Sequence, residues 1–174
     1  KTTLSFSLQS GTSEETENGS AKREPLGTPV DRKPAILGRY HALVIGNNGY
    51  ASLPDLDTAV NDAKALSEVL EQQYGFSVTL MIDADRYAVL SALNDLKENF
   101  TRDDHLLVYY AGHGELDRVN RRGHWLPVDA EANNSANWIS NISVTDLLNI
   151  IPSQQLLIIA DSCYSGMMSR SALG

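Results

Sequence analysis

From Arg39 onward, short apolar runs alternate with segments of helical periodicity. Four runs without polar alternation predict buried strands: "YHALVIGNN", "FSVTLMI", "HLLVYYA" and "QLLIIADS". Between the first three runs, apolar residues recur three and four positions apart, which predicts two long helices. This alternation is typical of an α/β domain with a mostly parallel sheet that is covered on both faces.

Local signals indicate where the helices begin and end. Asp57 is the expected cap of the first helix and Gly75 its stop, while Asp85 is expected to cap the second. Ser143 is expected to cap a brief third helix, "VTDLLNII", which Pro152 ends. A loop rich in Arg and Asn precedes "HWLPVDA", for which a short extended segment is predicted. The expected apolar positions of the two long helices are Ala59, Val60, Ala63, Leu66, Val69, Leu70 and Tyr74, then Val89, Leu93, Leu96 and Phe100.

The chain divides into two parts by composition. Residues 1–34 are rich in Ser, Thr, Glu, Gly and Pro, which predicts a disordered arm or linker from an upstream region. Within them, residues 3–8 alternate apolar and polar side chains and have two interpretations, an edge strand or a piece of an upstream domain. Residues 35–174 are predicted to form the folded domain. Because the chain starts at Lys1 rather than Met, we expect a segment or a processed piece, and an upstream targeting signal stays open.

Charge and cysteine content narrow the classes of function. Twenty-two acidic and 14 basic residues give a formal net charge of −8, which argues against a nucleic-acid-binding surface. No apolar run is long enough to cross a bilayer, so we expect no membrane segment in this chain and a cytoplasmic location. The single cysteine, Cys163, excludes a disulfide within the chain and a cysteine-rich zinc site.

Two residues with nucleophilic or basic chemistry follow predicted strands directly. His113 follows the third strand and Cys163 the fourth, and the carboxyl ends of parallel strands meet at one edge of a sheet. An imidazole near a thiol can take its proton and produce the nucleophilic thiolate. Gly112 and Gly114 open the backbone around the histidine, where amide N–H groups can bind an oxyanion. An inert buried thiol and a structural histidine are the alternative, but packing alone does not explain why both residues stand among small residues at strand ends.

The segments "YYAGHGE" and "ADSCYSG" resemble the histidine and cysteine motifs of the caspase-like cysteine peptidases, the group of caspases, metacaspases and their bacterial relatives. The separation of 50 residues between His113 and Cys163 matches the spacing in caspases. The resemblance runs from about Arg39 to Gly166 and includes "ALVIGNNGY", "LPDLDTAVNDAKAL" and "HWLPVDA". It implies a caspase-like three-layer α/β/α sandwich and hydrolysis of peptide bonds through a thioester, without a metal or other cofactor.

The resemblance also implies roles for individual residues. Cys163 would attack the carbonyl carbon, His113 would act as general acid and base, and the amides of Gly114 and Cys163 would hold the oxyanion. Asp161 stands where caspases carry Gln and metacaspases Asp, and Asp62 stands where metacaspases place a second pocket acid. Two carboxylates in a substrate pocket favour Arg or Lys, so we expect cleavage after these residues rather than after Asp. The alternative for Asp62 is a capping or solvated residue of its helix.

Several metacaspases need calcium, and the resemblance bears on this requirement. The acidic pair that precedes the short helix in those enzymes corresponds here to Ser143 and Val144, so we expect no calcium requirement. Asp117, Asp129 and Glu131 are interpreted as solvated residues. Among the remaining candidates, His41 and His105 are interpreted as structural, whereas His124, Trp138 and Tyr164 are candidates either for the substrate cleft or for packing.

In caspase-like peptidases the sheet continues beyond the cysteine loop. We therefore expect this chain to be the large-subunit portion, completed by a C-terminal small-subunit segment of the same precursor, with Arg170 as a candidate cut site. The expected partners are a protein or peptide substrate and regulatory domains outside the chain. Two other classes of function stay open: a catalytically silent caspase-like scaffold, and a non-peptidase thiol enzyme on an α/β sheet.

Overall fold

Helices and strands alternate along the chain much as the hydrophobic pattern predicts. The computed structural model describes residues 38–117 and 119–162, and the predictions for residues 1–34, Cys163, Tyr164 and Arg170 lie outside the described residues. The elements are β1 (Tyr40–Gly46), α1 (Ala59–Tyr74), β2 (Ser77–Ile82), α2 (Arg86–Asn99), β3 (His105–Ala111), β4 (Gly114–Asp117), β5 (Arg122–Trp125), β6 (Ile139–Ser140), α3 (Asn141–Asn149) and β7 (Gln155–Asp161).

The four apolar strands form one parallel sheet in the order β2-β1-β3-β7. Their register aligns the last residues of the strands, because Gly46 of β1 pairs with Ile82 and Ala111, and Ala111 pairs with Asp161 of β7. The loops that follow the strands therefore leave the sheet from the same edge, which is the usual place for a site in an open parallel sheet.

Helices cover both faces of this sheet, because the last five residues of β1 are all buried and residues 42–45 alternate between two hydrophobic clusters. Leu43 and Ile45 pack into a core with residues of α2 and α3, including Leu93 and Leu148. On the other face, residues of β1 and β3 pack against α1, with Ala42, Val44, Ala59, Ala63, Leu70, Tyr109 and Ala111 in one cluster. The predicted three-layer α/β/α arrangement with a parallel central sheet is confirmed.

The helix ends follow the predicted signals at two points and depart from them at one. Asp85 caps α2 by accepting a hydrogen bond from the Ala88 N–H at 2.8 Å, and Gly75 ends α1 in the left-handed region at φ 69°. The expected cap of α1 at Asp57 is wrong. The Val60 N–H instead donates to the Asn48 side-chain oxygen at 3.0 Å, so the loop after β1 supplies the acceptor from outside the helix.

The third helix begins earlier than predicted. Ser140, rather than Ser143, is its cap, because the Ser143 N–H donates to the Ser140 side-chain oxygen at 3.0 Å. Two serines three residues apart carry the same local signal, so the pattern alone does not distinguish between them. None of the helices in the described ranges has the length and hydropathy needed to cross a membrane.

A second, antiparallel sheet of three short strands, β4-β5-β6, was only partly predicted. Of the predicted extended segment "HWLPVDA", His124 and Trp125 lie in β5. The β4 strand was missed because its four residues, "GELD", are mostly polar and carry no strand periodicity. Since β4 begins one residue after His113, this sheet extends directly from the predicted catalytic loop.

One buried aspartate is hydrogen-bonded to segments that flank several elements. Asp104, 2% exposed, accepts hydrogen bonds from the Arg39 backbone and guanidinium groups and from the N–H and hydroxyl of Thr101. Its backbone oxygen accepts a hydrogen bond from the Gln154 N–H at 2.8 Å. The hydrogen bonds from Arg39 hold the pKa of the Asp104 carboxyl well below its ordinary value, although burial acts in the opposite direction.

Because the pKa of Asp104 is lowered on folding, its stabilising effect is complete above the ordinary carboxyl pKa and is lost as the pH falls below it. We expect Asp104→Asn to lower the unfolding temperature at pH 7 by roughly 5 °C, since it removes the charge from this network. The difference from the wild type should shrink as the pH falls below about 4. Thermal unfolding followed by circular dichroism measures both effects, with Asp103→Asn at an exposed neighbour as the control. Equal losses in the two variants would contradict this role.

Candidate active site

His113 lies in the short loop between β3 and β4, and its backbone is fixed on both sides. Its N–H donates to the Tyr50 hydroxyl at 2.8 Å. Its carbonyl oxygen accepts hydrogen bonds from the Tyr110 hydroxyl at 2.9 Å and from the Leu126 N–H at 3.0 Å. The residue is only 6% exposed, so the position of the imidazole is defined by protein contacts rather than by solvent.

The imidazole of His113 is oriented by the loop between β1 and α1. Its Nε2 lies 2.8 Å from the Pro54 carbonyl oxygen, and the Tyr50 ring packs at 4.6 Å between ring centroids. Because a carbonyl oxygen only accepts hydrogen bonds, Nε2 must carry the proton in the neutral ring. The basic nitrogen is therefore Nδ1, which is left available for a neighbouring proton donor.

The end of β7 contacts the histidine loop on both sides of His113. A Cβ atom on Gly114 would lie 2.7 Å from Ser162 Oγ, and the Gly112 N–H donates to the Asp161 carbonyl oxygen at 3.5 Å. Asp161 and Ser162 are the two residues directly before Cys163, which itself lies outside the described residues. The two predicted catalytic motifs therefore meet at the carboxyl edge of the sheet.

Two tyrosine hydroxyls lie so close to Gly112 that they explain why this residue is a glycine. A Cβ at this position would lie 2.7 Å from the Tyr110 hydroxyl and 2.8 Å from the Tyr50 hydroxyl. No side chain fits there without moving one of these buried tyrosines. The glycine thus permits the hydroxyls to approach the backbone of His113.

The backbone amide of Gly114 has a direction suited to an anion site. The hydrogen bond from the Leu126 N–H to the His113 carbonyl oxygen defines a hydrogen-bonded pair of positions in the β4–β5 ladder. In an antiparallel ladder the next pair, Gly114 with Trp125, is then not hydrogen-bonded, and its amides point outward. The Gly114 N–H therefore points away from β5.

The two predicted pocket acids lie near one buried tyrosine. Asp62 is exposed in the first turn of α1, and Asp161 is exposed at the end of β7. The Tyr109 hydroxyl lies 3.5 Å from Asp161 Oδ2. Burial raises the pKa of Tyr109, and the negative charges of Asp161 and Asp62 raise it further. The charges of both carboxylates therefore affect the pKa of one hydroxyl, on the α1 side of the sheet.

Tyr109 and Tyr50 were not singled out from the sequence. Tyr109 lies within an apolar strand, so its sequence context predicts a core residue. Only its hydroxyl, near the end of the strand, indicates a polar role. Tyr50 was quoted within a motif, but its contact with His113 spans 63 residues of sequence. Neither contact leaves a local signal.

The other histidines lie away from the carboxyl edge or pack against aromatic side chains. His41 packs on Phe100 at 4.6 Å, and His105 stacks on Tyr40 at 4.4 Å, both near the amino-terminal ends of their strands. These contacts agree with the structural interpretation of His41 and His105. His124 packs edge-on against Trp138 at 5.5 Å, and the role of this pair in substrate contact stays a prediction.

The three acids interpreted as solvated residues, Asp117, Asp129 and Glu131, accept hydrogen bonds from neighbouring groups. The Asp117 side chain accepts hydrogen bonds from the Val119 and Asn120 amides, and the Asp129 side chain accepts one from the Arg86 amide. The Glu131 carboxylate accepts a hydrogen bond from the Asn134 side chain at 3.3 Å. Among residues 38–117 and 119–162, no group of three or more His, Cys, Asp or Glu side chains is placed to hold a metal ion. Independence from calcium stays a prediction.

Comparison with known families identifies the class of protein to which this fold and this site belong. Residues 39–173 match the family model of the caspase domain, and the chain belongs to this family of cysteine peptidases. The family resemblance seen in the histidine and cysteine motifs is confirmed.

Within this family the chain is similar to metacaspases. Metacaspase-4 and metacaspase-6 of Arabidopsis thaliana are each 31% identical to it over 144 residues, which cover 72% of this chain. The matches cover 33% and 38% of those proteins, so the chain spans about a third of the length of these relatives. A crystal structure of a protein from Geobacter sulfurreducens superimposes with a TM-score of 0.60 at 20% identity, covering 72% of this chain and 50% of that one. At this identity it supports the fold alone.

Proposed function

We propose that the protein is a cysteine endopeptidase that cleaves peptide bonds after Arg or Lys with a Cys163–His113 dyad. The observation that carries the proposal is the contact between the two motifs, in which Gly114 packs on Ser162, the residue directly before Cys163. This contact supports a position for Cys163 close to the histidine loop. Family membership supports the peptidase chemistry, and the acids near Tyr109 support the basic specificity.

The chemistry follows from the tautomer of His113. Nδ1 accepts the proton of the Cys163 thiol, and the thiolate attacks the carbonyl carbon of the substrate. The amides of Gly114 and Cys163 stabilise the resulting oxyanion. The imidazolium then gives its proton to the leaving amine, which departs and leaves a thioester on Cys163. A water molecule, deprotonated by His113, hydrolyses the thioester and restores the thiol.

The Pro54 carbonyl contributes to each of these proton transfers. Its hydrogen bond at 2.8 Å fixes the proton of His113 on Nε2, so that Nδ1 faces the reacting groups as the base. When Nδ1 becomes protonated, the carbonyl dipole stabilises the positive charge on the ring. The imidazole therefore needs no further tautomer change during the reaction.

Specificity for basic side chains follows from the charges near the pocket. The negative charges of Asp161 and Asp62 both raise the pKa of Tyr109, which supports an acidic region at this end of the sheet. A guanidinium can bind a carboxylate through two parallel hydrogen bonds, whereas an ammonium acts as a point charge. We therefore expect the order Arg, then Lys, and repulsion of Asp at the residue before the cleaved bond.

Fluorogenic peptides that differ only in their last residue test this specificity. We expect kcat/KM to be highest for Arg, lower for Lys and near background for Asp, with no hydrolysis by Cys163→Ala. Asp161→Asn should reduce kcat/KM for the Arg peptide by about 10- to 100-fold, because it removes a charge-assisted hydrogen bond. Asp62→Asn should have a smaller effect in the same direction.

The matched control is Glu68→Gln, which changes the same charge at an exposed site on the same helix as Asp62. Preference for Asp, or equal effects of Glu68→Gln and Asp161→Asn, would contradict the pocket assignment. Hydrolysis that survives in Cys163→Ala would instead contradict the nucleophile. A fully inactive wild type would favour the scaffold interpretation, and reaction of Cys163 with non-peptide substrates alone would favour another thiol enzyme.

We propose further that a C-terminal small-subunit segment of the same precursor packs against β7. Within the described part of the chain, β7 pairs with β3 and forms one edge of the parallel sheet. Its apolar residues are exposed on both faces: Leu157 by 54%, Ile158 by 36% and Ile159 by 40%. Nearby, a cavity of about 400 Å³ has a mostly apolar lining that includes Tyr40, Phe76, Leu107 and Leu157. Exposed contiguous apolar surface of this kind favours contact with further polypeptide.

Purification of the protein at its full natural length tests this partner. We expect a downstream polypeptide of the same precursor to co-purify with the wild type, and we expect Leu157→Lys to reduce its recovery by burying a charge in the contact. Val119→Lys, at a residue that is 97% exposed in the β4–β5 turn, is the control. Absence of a downstream segment by mass spectrometry, or equal recovery in both variants, would overturn the proposal.

A further inference from the structure

We propose that Tyr50 is a positioning residue that holds His113 in its reactive orientation through a hydrogen bond to its backbone and a contact with its ring. The proposal rests on the proposed function of His113 as the catalytic base. The contacts described for Tyr50 reach the backbone and ring of His113 rather than the predicted pocket acids. It would therefore act through His113 and not on the substrate itself.

Two tyrosine hydroxyls contact the peptide groups on the two sides of the same residue. The His113 N–H donates to the Tyr50 hydroxyl oxygen at 2.8 Å. The Tyr110 hydroxyl lies 2.9 Å from the His113 carbonyl oxygen and 2.8 Å from the Leu126 carbonyl oxygen, and its single proton can be donated to either. Tyr50 therefore restrains the peptide group before the histidine Cα, and Tyr110 lies against the one after it.

Both hydroxyls are buried at the end of the sheet. Tyr50 is 8% exposed, and Tyr110 and Asn47 are fully buried. The Asn47 side chain accepts the Ala84 N–H at 2.9 Å and donates to the Ala84 oxygen at 3.4 Å. A buried polar group without a partner is costly, which favours retention of the hydrogen bond between Tyr50 and His113.

The Tyr50 ring adds a second contact, this time to the imidazole. It packs against the ring of His113 at 4.6 Å and a tilt of 53°, while the Pro54 oxygen in the same loop binds Nε2. The backbone of Tyr50 is itself fixed, because its N–H donates to the Asp55 side chain at 2.9 Å. Tyr50 therefore limits both translation of the His113 backbone and rotation of its ring.

Removal of the Tyr50 hydroxyl should loosen the histidine loop without changing the substrate pocket. We expect Tyr50→Phe to reduce kcat by about 10- to 100-fold with KM changed by less than about twofold, since small displacements of a catalytic group have effects of this size. The control is Tyr87→Phe, which removes the same hydroxyl from a tyrosine that is 80% exposed on α2. Tyr110→Phe removes the hydroxyl that lies against the His113 carbonyl oxygen and should reproduce the loss.

A measurement that does not need peptide hydrolysis separates this proposal from the proposed function. Cys163 is the only cysteine, so alkylation by iodoacetamide as a function of pH reports directly on its thiol. A well-placed imidazole makes the thiol reactive below the pH at which a free thiol ionises, about 8.5. We expect the alkylation midpoint of Tyr50→Phe to move upward toward that value, and Tyr87→Phe to keep the wild-type midpoint.

The outcomes distinguish the two proposals. A shifted midpoint in Tyr50→Phe supports the positioning role, even if no peptide is cleaved and the proposed peptidase function fails. An unchanged midpoint in folded Tyr50→Phe, as judged by circular dichroism, overturns the positioning role, even if Cys163-dependent cleavage is observed. If Tyr50→Phe does not fold, the midpoint of Tyr110→Phe decides in the same way. A variant that is less stable but has the wild-type midpoint and kcat has lost only a structural contact, which also overturns the proposal.

Discussion

The parallel register between β3 and β7 is the constraint on which the site depends. It pairs Ala111 with Asp161, and His113 and Cys163 each follow two residues after one member of that pair. Equal offsets from paired residues bring the two motifs to the same edge, where Gly114 packs on Ser162. A slip of one residue would turn the side chains of β7 to the opposite face and would separate Asp161 from Ala111.

Because side chains alternate between the two faces of β3, two neighbouring tyrosines contact different layers of the fold. Tyr110 faces the core formed with α2 and α3, and its hydroxyl reaches up to the backbone of His113. Tyr109 faces α1, and its hydroxyl lies beside the acid at the end of β7. One strand end therefore supports the proposed base on one face of the sheet and the proposed specificity acids on the other. This arrangement follows from the two-residue period of a strand.

Features set by local pattern were predictable from the sequence, and features set by distant contacts were not. The four apolar strands, the Asp85 cap and the Gly75 stop each leave a signal within a few residues. The α1 cap comes from Asn48, in a loop that precedes the helix, so the local signal at Asp57 was misleading. The contacts of Pro54 and Tyr50 with His113 join residues about 60 apart, and a single sequence carries no trace of such pairs.

Covalent labelling of the single thiol tests the central claim most directly. A peptidyl chloromethyl ketone that ends in Arg should modify Cys163 near neutral pH, as read by mass spectrometry of the modified peptide. We predict that the same reagent ending in Asp reacts far more slowly, and that His113→Ala reduces the rate of labelling by the Arg reagent by about 100-fold or more. Labelling that is equally fast in His113→Ala, or no labelling of Cys163 in the wild type, would contradict a Cys163–His113 catalytic pair.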